Sequence, residues 1–164
     1  MKIIRPLLFF LCISMIVSCR EAPQDSRQPS QRSQEELVEE VKAFYKEYET
    51  SVPSGDLELL LSHISDDAIW MPPQETAMQG KEKVRAWLQE YFKDYSMEER
   101  FLIQEIRSAD GWALVRGSYV FQAVPKASGS RISNHGTFVA VLERNTHATW
   151  QVSREIWNGD STNL

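Results

Sequence analysis

Few residues in this sequence can move a proton at neutral pH, and the foremost is Glu155. It lies in the segment Trp150 to Trp157, two residues before a tryptophan, and in an extended strand such neighbours share a face. If that face looks into a cavity, an apolar wall raises the carboxyl's pKa and fits it for acid or base work. The opposite parity would turn Arg154 inward and leave Glu155 in water; the arrangement with Glu155 and Trp157 inside is preferred. His135, between Asn134 and Gly136, is the second candidate base, although at a sheet edge it needs no function. The histidines, His63, His135 and His147, do not pair with one another or with cysteine at ligand spacing. Asp66-Asp67 has no third oxygen ligand nearby, so no metal is expected. There is no phosphate loop, no Gly-x-Ser-x-Gly elbow and no cysteine nucleophile, and no cofactor is expected. Among the tryptophans, Trp70 and Trp157 are those expected to reach a pocket; the others fill core and interfaces.

These residues must be held by a run of helices followed by strands. Ser33-Gln34-Glu35-Glu36 has the capping-box pattern, and Leu37, Val41, Phe44, Tyr45 and Tyr48 then recur at helical spacing to about Thr50. Val52-Pro53-Ser54-Gly55 breaks that helix, and Asp56 can cap a second through Leu57, Leu60, Leu61 and Ile64. Ala68 to Met71 reads as a short strand stopped by Pro72-Pro73. Val84, Trp87, Leu88, Tyr91, Phe92 and Tyr95 define a third helix after Gly80. Phe101 to Arg107, Trp112 to Val124, Arg131 to Arg144 and Trp150 to Trp157 then read as strands of an antiparallel meander. The expected class is α+β, with three N-terminal helices packed in a curved antiparallel sheet. Ala113-Leu114-Val115, Tyr119-Val120-Phe121 and Thr137 to Leu142 place apolar groups on both faces of that sheet, so a second copy is expected to cover the outer one in a twofold homodimer.

At the N-terminus Lys2 and Arg5 precede the apolar run Leu7 to Val17 and the small residue Ser18, the layout of a secretory signal shorter than the ~20 apolar residues a spanning helix needs. Ile16-Val17-Ser18-Cys19 resembles the lipobox of bacterial lipoproteins. That resemblance implies cleavage before Cys19, acylation of its thiol and anchoring to the lipid bilayer. Arg20, in the position where aspartate holds similar proteins at the inner membrane, favours the outer membrane facing the periplasm in a Gram-negative host. Arg20 to Arg32 carries two prolines and no large apolar residue, and reads as a tether. The partition is then 1–18 signal, 19–32 lipidated cysteine and tether, 33–160 domain, and 161–164 tail. Cys12 leaves with the signal and Cys19 is consumed by lipid, so the domain must rely on its core rather than on disulfides. The composition, 42% apolar and 25% charged, is that of an ordinary globular protein. The formal charge of −5 becomes more negative when Lys2 and Arg5 leave, which excludes nucleic-acid backbones as partners.

Element order and local motifs together resemble the nuclear transport factor 2-like superfamily, the cone-shaped α+β fold that includes steroid Δ-isomerases and SnoaL-like polyketide cyclases. The carriers are Ser54-Gly55-Asp56-Leu57, Ile64 to Ala68 leading to Pro72, Gly80 opening a helix, and Trp150 to Asn158 as a last strand. The resemblance spans about Gln34 to Asp160 and implies a cone whose interior is the site. The isomerases use a tyrosine near the end of helix one, a carboxylate base before a proline, and a protonated aspartate on a later strand. Tyr48 falls at the tyrosine position. Pro72 falls where the base should be, flanked by Met71 and Pro73, and the third position falls near Thr137 or Phe138. None of these takes a proton, so the step that defines an isomerase is missing.

Three functions follow as expectations. One is a binding module holding a small apolar or amphipathic ligand, oriented by Tyr48, Trp70, Tyr119 and Trp157. Another is an isomerase, dehydratase or cyclase using Glu155 or His135 as a non-standard base. The third is an adaptor or structural lipoprotein with a filled interior.

Overall fold

In a computed structural model, which describes residues 33–109, 111–127 and 130–159, the first helix begins as its sequence dictates. The Ser33 hydroxyl accepts from the Glu36 amide at 3.1 Å and the Ser33 amide donates to the Glu36 carboxylate at 2.8 Å, closing the capping box. Helix α1 (Gln34–Ser51) buries Leu37, Val41, Phe44, Tyr45 and Tyr48 along one stripe. Gly55, at φ 72°, makes the turn that a side chain would strain, and the Asp56 carboxylate caps α2 (Leu57–Ser62) through the Leu59 amide at 3.0 Å. Strand β1 (Ile64–Met71) and the two-residue β2 (Met78–Gln79) precede α3 (Lys81–Asp94), whose Val84 and Leu88 are buried. The signal, the tether and the 161–164 tail lie outside the described residues.

Four long strands follow: β3 (Tyr95–Ala109), β4 (Trp112–Pro125), β5 (Ile132–Arg144) and β6 (Trp150–Gly159). The sheet order is β2-β1-β6-β5-β4-β3, with β3 to β6 pairing as the antiparallel meander expected. Strand β1 joins β6 in parallel, which makes the sheet mixed. The two are separated by most of the domain, so no hairpin constrains their direction. Tyr95 leaves the helical pattern at φ −129° and ψ 150° and opens β3 six residues before the apolar run that marks it in sequence. Register shifts at Ile103/Glu105 in β3 and at Val141/Leu142 between β5 and β6 bend these strands, as bulges do, so that the sheet curves around α1 and α3. Its inner face carries Val115, Tyr119, Phe138, Ala140 and Leu142 into the core, whereas Leu102, Val120, Val139 and Ile156 stand exposed on the other face.

Candidate functional site

The inner face of the curved sheet is a grid of cross-strand neighbours, and its alternation decides which polar groups enter. In one row Trp70 of β1, Glu155 of β6, Ala140 of β5 and Val115 of β4 stand side by side. Trp157 and Phe138 are paired in the next row, then Gly159, Gly136, Tyr119 and Phe101, and finally Asn134, Phe121 and Glu99. Helices α1 and α3 close the space with Tyr48, Trp87, Leu88 and Tyr91. The result is a cavity of about 420 Å³ bounded also by Pro72 and Pro73, with the exposed Gln74 and Glu75 where it meets solvent.

Two carboxyls face this aromatic interior. Glu155 is only 6% exposed, and among the described residues nothing hydrogen-bonds to its side chain. Burial, which disfavours the charged form, raises its pKa to about 8. Glu99, half-buried on β3, is raised to about 8 by burial and then by the charges of Glu155 and Glu49. Glu49 itself accepts the Phe101 amide at 2.6 Å and so anchors α1 to this strand. A pair with such values can hold a proton and release it near neutral pH.

The four expected ligand-binding residues all line the cavity, with different capacities. Tyr48 stacks between Phe44 and Phe101, at ring centroid distances of 5.9 and 5.6 Å, and burial, then Glu155 and Glu99, hold its hydroxyl protonated. That hydroxyl makes no hydrogen bond among the described residues and remains a donor. Tyr119 differs, because its hydroxyl already donates to the Asn158 carbonyl at 2.9 Å; it can only accept from a ligand. Its pKa is pushed to about 12 by burial and by Glu99 and Glu155. The Tyr119 ring reaches Asn158 only across Gly136, where an added Cβ would lie 2.9 Å from it. Trp70 and Trp157 meet edge to face at 5.7 Å, Trp87 packs on both, and the Trp70 indole N–H is buried without a partner.

His135 is a correction. It occupies the exposed positions of β5, between the inward Asn134 and Gly136, and the two-residue period turns it away from the cavity with Thr137 and Val139. Pro72 sits in the cavity wall. Glu99 was not read from the sequence. Its signal is the alternation Met97, Glu99, Phe101, Ile103, visible once β3 is started at Tyr95 rather than Phe101.

A family model described as the SnoaL-like domain matches residues 41–148. No curated protein matches the chain. Among solved structures it is similar to a conserved protein from Planctomyces limnophilus DSM 3776, at 17% identity and a TM-score of 0.70, covering 77% of this chain and 99% of that one. A ketosteroid isomerase-like protein from Erwinia carotovora atroseptica SCRI1043 is 22% identical with a TM-score of 0.66, over 79% and 99% of the two chains. A nuclear transport factor 2-like superfamily protein from Salmonella enterica serovar Typhimurium is 14% identical with a TM-score of 0.65, over 80% and 96%. At these identities the likeness is one of fold.

Proposed function

The chain belongs to the SnoaL-like domain family, and from that premise we propose that it is a receptor for one small apolar or amphipathic molecule, held in the cone of a membrane-anchored lipoprotein. The observation that carries the reading is the cavity of about 420 Å³, walled by aromatic rings around a carboxyl, Glu155, that has no hydrogen bond among the described residues. Concave apolar sites with a few convergent polar groups are where small ligands bind. An adaptor with a filled interior finds no support in an open cone. The rest of the reading is an exported protein tethered through acylated Cys19, at the outer membrane in a Gram-negative host. It pairs with a second copy through the apolar outer face of its sheet.

Isothermal titration of the domain with 1-naphthalenemethanol, a neutral bicyclic alcohol that fits such a volume, tests the receptor. One saturable site per chain is expected, and Met97→Trp, which fills the cavity from β3, should weaken binding at least tenfold. If neither this alcohol nor its amine or carboxylate analogue binds saturably to the unaltered domain, the receptor reading is wrong.

A second reading is favoured by one arrangement, Glu155 and Glu99 lining the same cavity, where burial raises both carboxyls. Two carboxyls poised near neutrality can act as base and acid on one substrate, as in isomerases, dehydratases or cyclases. Glu155 would then replace the base lost at Pro72. For a cyclic ketone or polyketide turned over by the domain, Glu155→Gln should lower kcat/KM by at least about a hundredfold. Turnover untouched by that substitution would remove the base.

A further inference from the structure

We propose that the molecule taken by the cone carries a protonated amine on an aromatic or apolar body, its ammonium group lodging between Glu99 and Glu155. This deepens the receptor reading and rests on it. The argument is one of charge accounting. Among the described residues, the ionisable groups lining the cavity are three carboxyls, Glu75, Glu99 and Glu155, together with tyrosines, and no Lys, Arg or His. Four of the described cations are paired with carboxylates outside the cavity. Lys81 pairs with Asp66 at 2.7 Å and Arg154 with Asp67 at 3.2 Å, while Arg85 meets Glu58 and Arg144 meets Glu40. Among the described residues, Glu155 is therefore buried, unpartnered and aimed into a space that receives no positive charge.

A carboxyl in that condition stays protonated because ionising it alone is costly, and burial holds both groups near 8. A ligand cation removes the cost, since an ion pair forms in a medium of low dielectric where each attraction is strong. The walls add to it. Nine aromatic side chains line the cavity, Trp70, Trp87 and Trp157 among them, and aromatic faces attract cations. An anion of the same size meets the opposite on every count: no cation to pair with, and two carboxyls that must stay protonated to tolerate it.

The test compares three ligands of one shape: 1-naphthylmethylamine, 1-naphthalenemethanol and 1-naphthoate, titrated calorimetrically into the domain at pH 7. The amine is expected to bind at least tenfold more tightly than the alcohol, and the naphthoate more weakly than both. In Glu155→Gln and in Glu99→Gln the ratio of amine to alcohol affinity, each measured on the same variant, should shrink at least threefold, and a ratio unchanged in both folded variants overturns the inference. Equal binding of amine and alcohol, or preference for naphthoate, overturns the inference and leaves the receptor standing. Failure of all three overturns the receptor and the inference with it. Should a glutamine variant not fold, the ranking on the unaltered domain decides alone.

Discussion

Glu99 on β3 and Glu155 on β6 stand at opposite sides of the four-strand meander, two strands between them, yet the curvature of the sheet turns both carboxyls into one aromatic cavity. Neither is part of the core in the ordinary sense, for each costs free energy to bury and neither is offset by a cation. Such an arrangement is destabilising for the fold and is retained where it serves a site.

That cost has a definite pH signature. Below about 4.5, the ordinary glutamate value, both carboxyls are protonated in folded and unfolded chains alike. Between there and about 8 the folded chain holds more protons than the unfolded one, so stability falls as pH rises through this window. At ~1.4 kcal/mol for each pKa unit, a rise from 4.5 to about 8 corresponds to a cost on the order of 5 kcal/mol for Glu155 at alkaline pH, and part of the Glu99 shift is the charge of Glu155 itself. The domain's Tm should therefore drop between pH 5 and pH 9. Glu155→Gln and Glu99→Gln should each flatten the slope and raise Tm at pH 9. Thermal melts across that range check it, and a Tm that is level or rising with pH would show that the two groups ionise freely.

The placement of Glu155 and Trp157 was legible because two-residue periodicity is local, and the chain keeps it to the end of β6. Glu99 was hidden by the same rule applied one turn too late. Tyr95 continues the apolar stripe of α3, so the helical pattern extends to it and the strand is read only from Phe101. The capping box at Ser33 and the glycine turn at Gly55 were legible for similar reasons, each being settled within four residues. The parallel pairing of β1 with β6 and the register shifts that curve the sheet depend on contacts across most of the domain, which no short window contains. The same holds for the tryptophan cluster of Trp70, Trp87 and Trp157, whose members come from three elements.

The contact between Tyr119 and Asn158 makes Gly136 irreplaceable. An alanine Cβ there would collide with the Asn158 carbonyl oxygen, lie 2.8 Å from its carbon and press on the Tyr119 ring at 2.9 Å. Backbone cannot yield as a flexible side chain can, so Gly136→Ala should destabilise by about 2–3 kcal/mol, as overpacking does. Tyr119→Phe, which removes only the 2.9 Å hydrogen bond, should cost about 1 kcal/mol. Urea denaturation separates them, and an alanine variant no weaker than the phenylalanine one would contradict the close approach.

On the outer face Val139 and Ile156 are direct cross-strand partners, 36% and 49% exposed, and Leu102 and Val120 are exposed on the same face. Apolar groups gathered on one face are what a twofold interface covers. Sedimentation velocity of the domain should give twice the chain mass at micromolar concentration, and Val139→Glu with Ile156→Glu should give a folded monomer. A wild-type domain that sediments as a monomer at high concentration would end the dimer proposal.

Cys19 lies outside the described residues, and its role rests on the charged, apolar and small sequence before it. A single acyl chain holds a protein to a bilayer only marginally, and durable anchoring takes more than one, as at a multiply acylated cysteine. The expectation is therefore a membrane-fraction protein that incorporates fatty-acid label and is released into the soluble exported fraction by Cys19→Ser, without label and with its domain intact. Label retained by the serine variant would overturn the anchor. An unlabelled protein still in the membrane fraction would point instead to an uncleaved apolar segment, Leu7 to Val17, as the anchor, and cleavage at that site can be read directly from the mass of the mature chain.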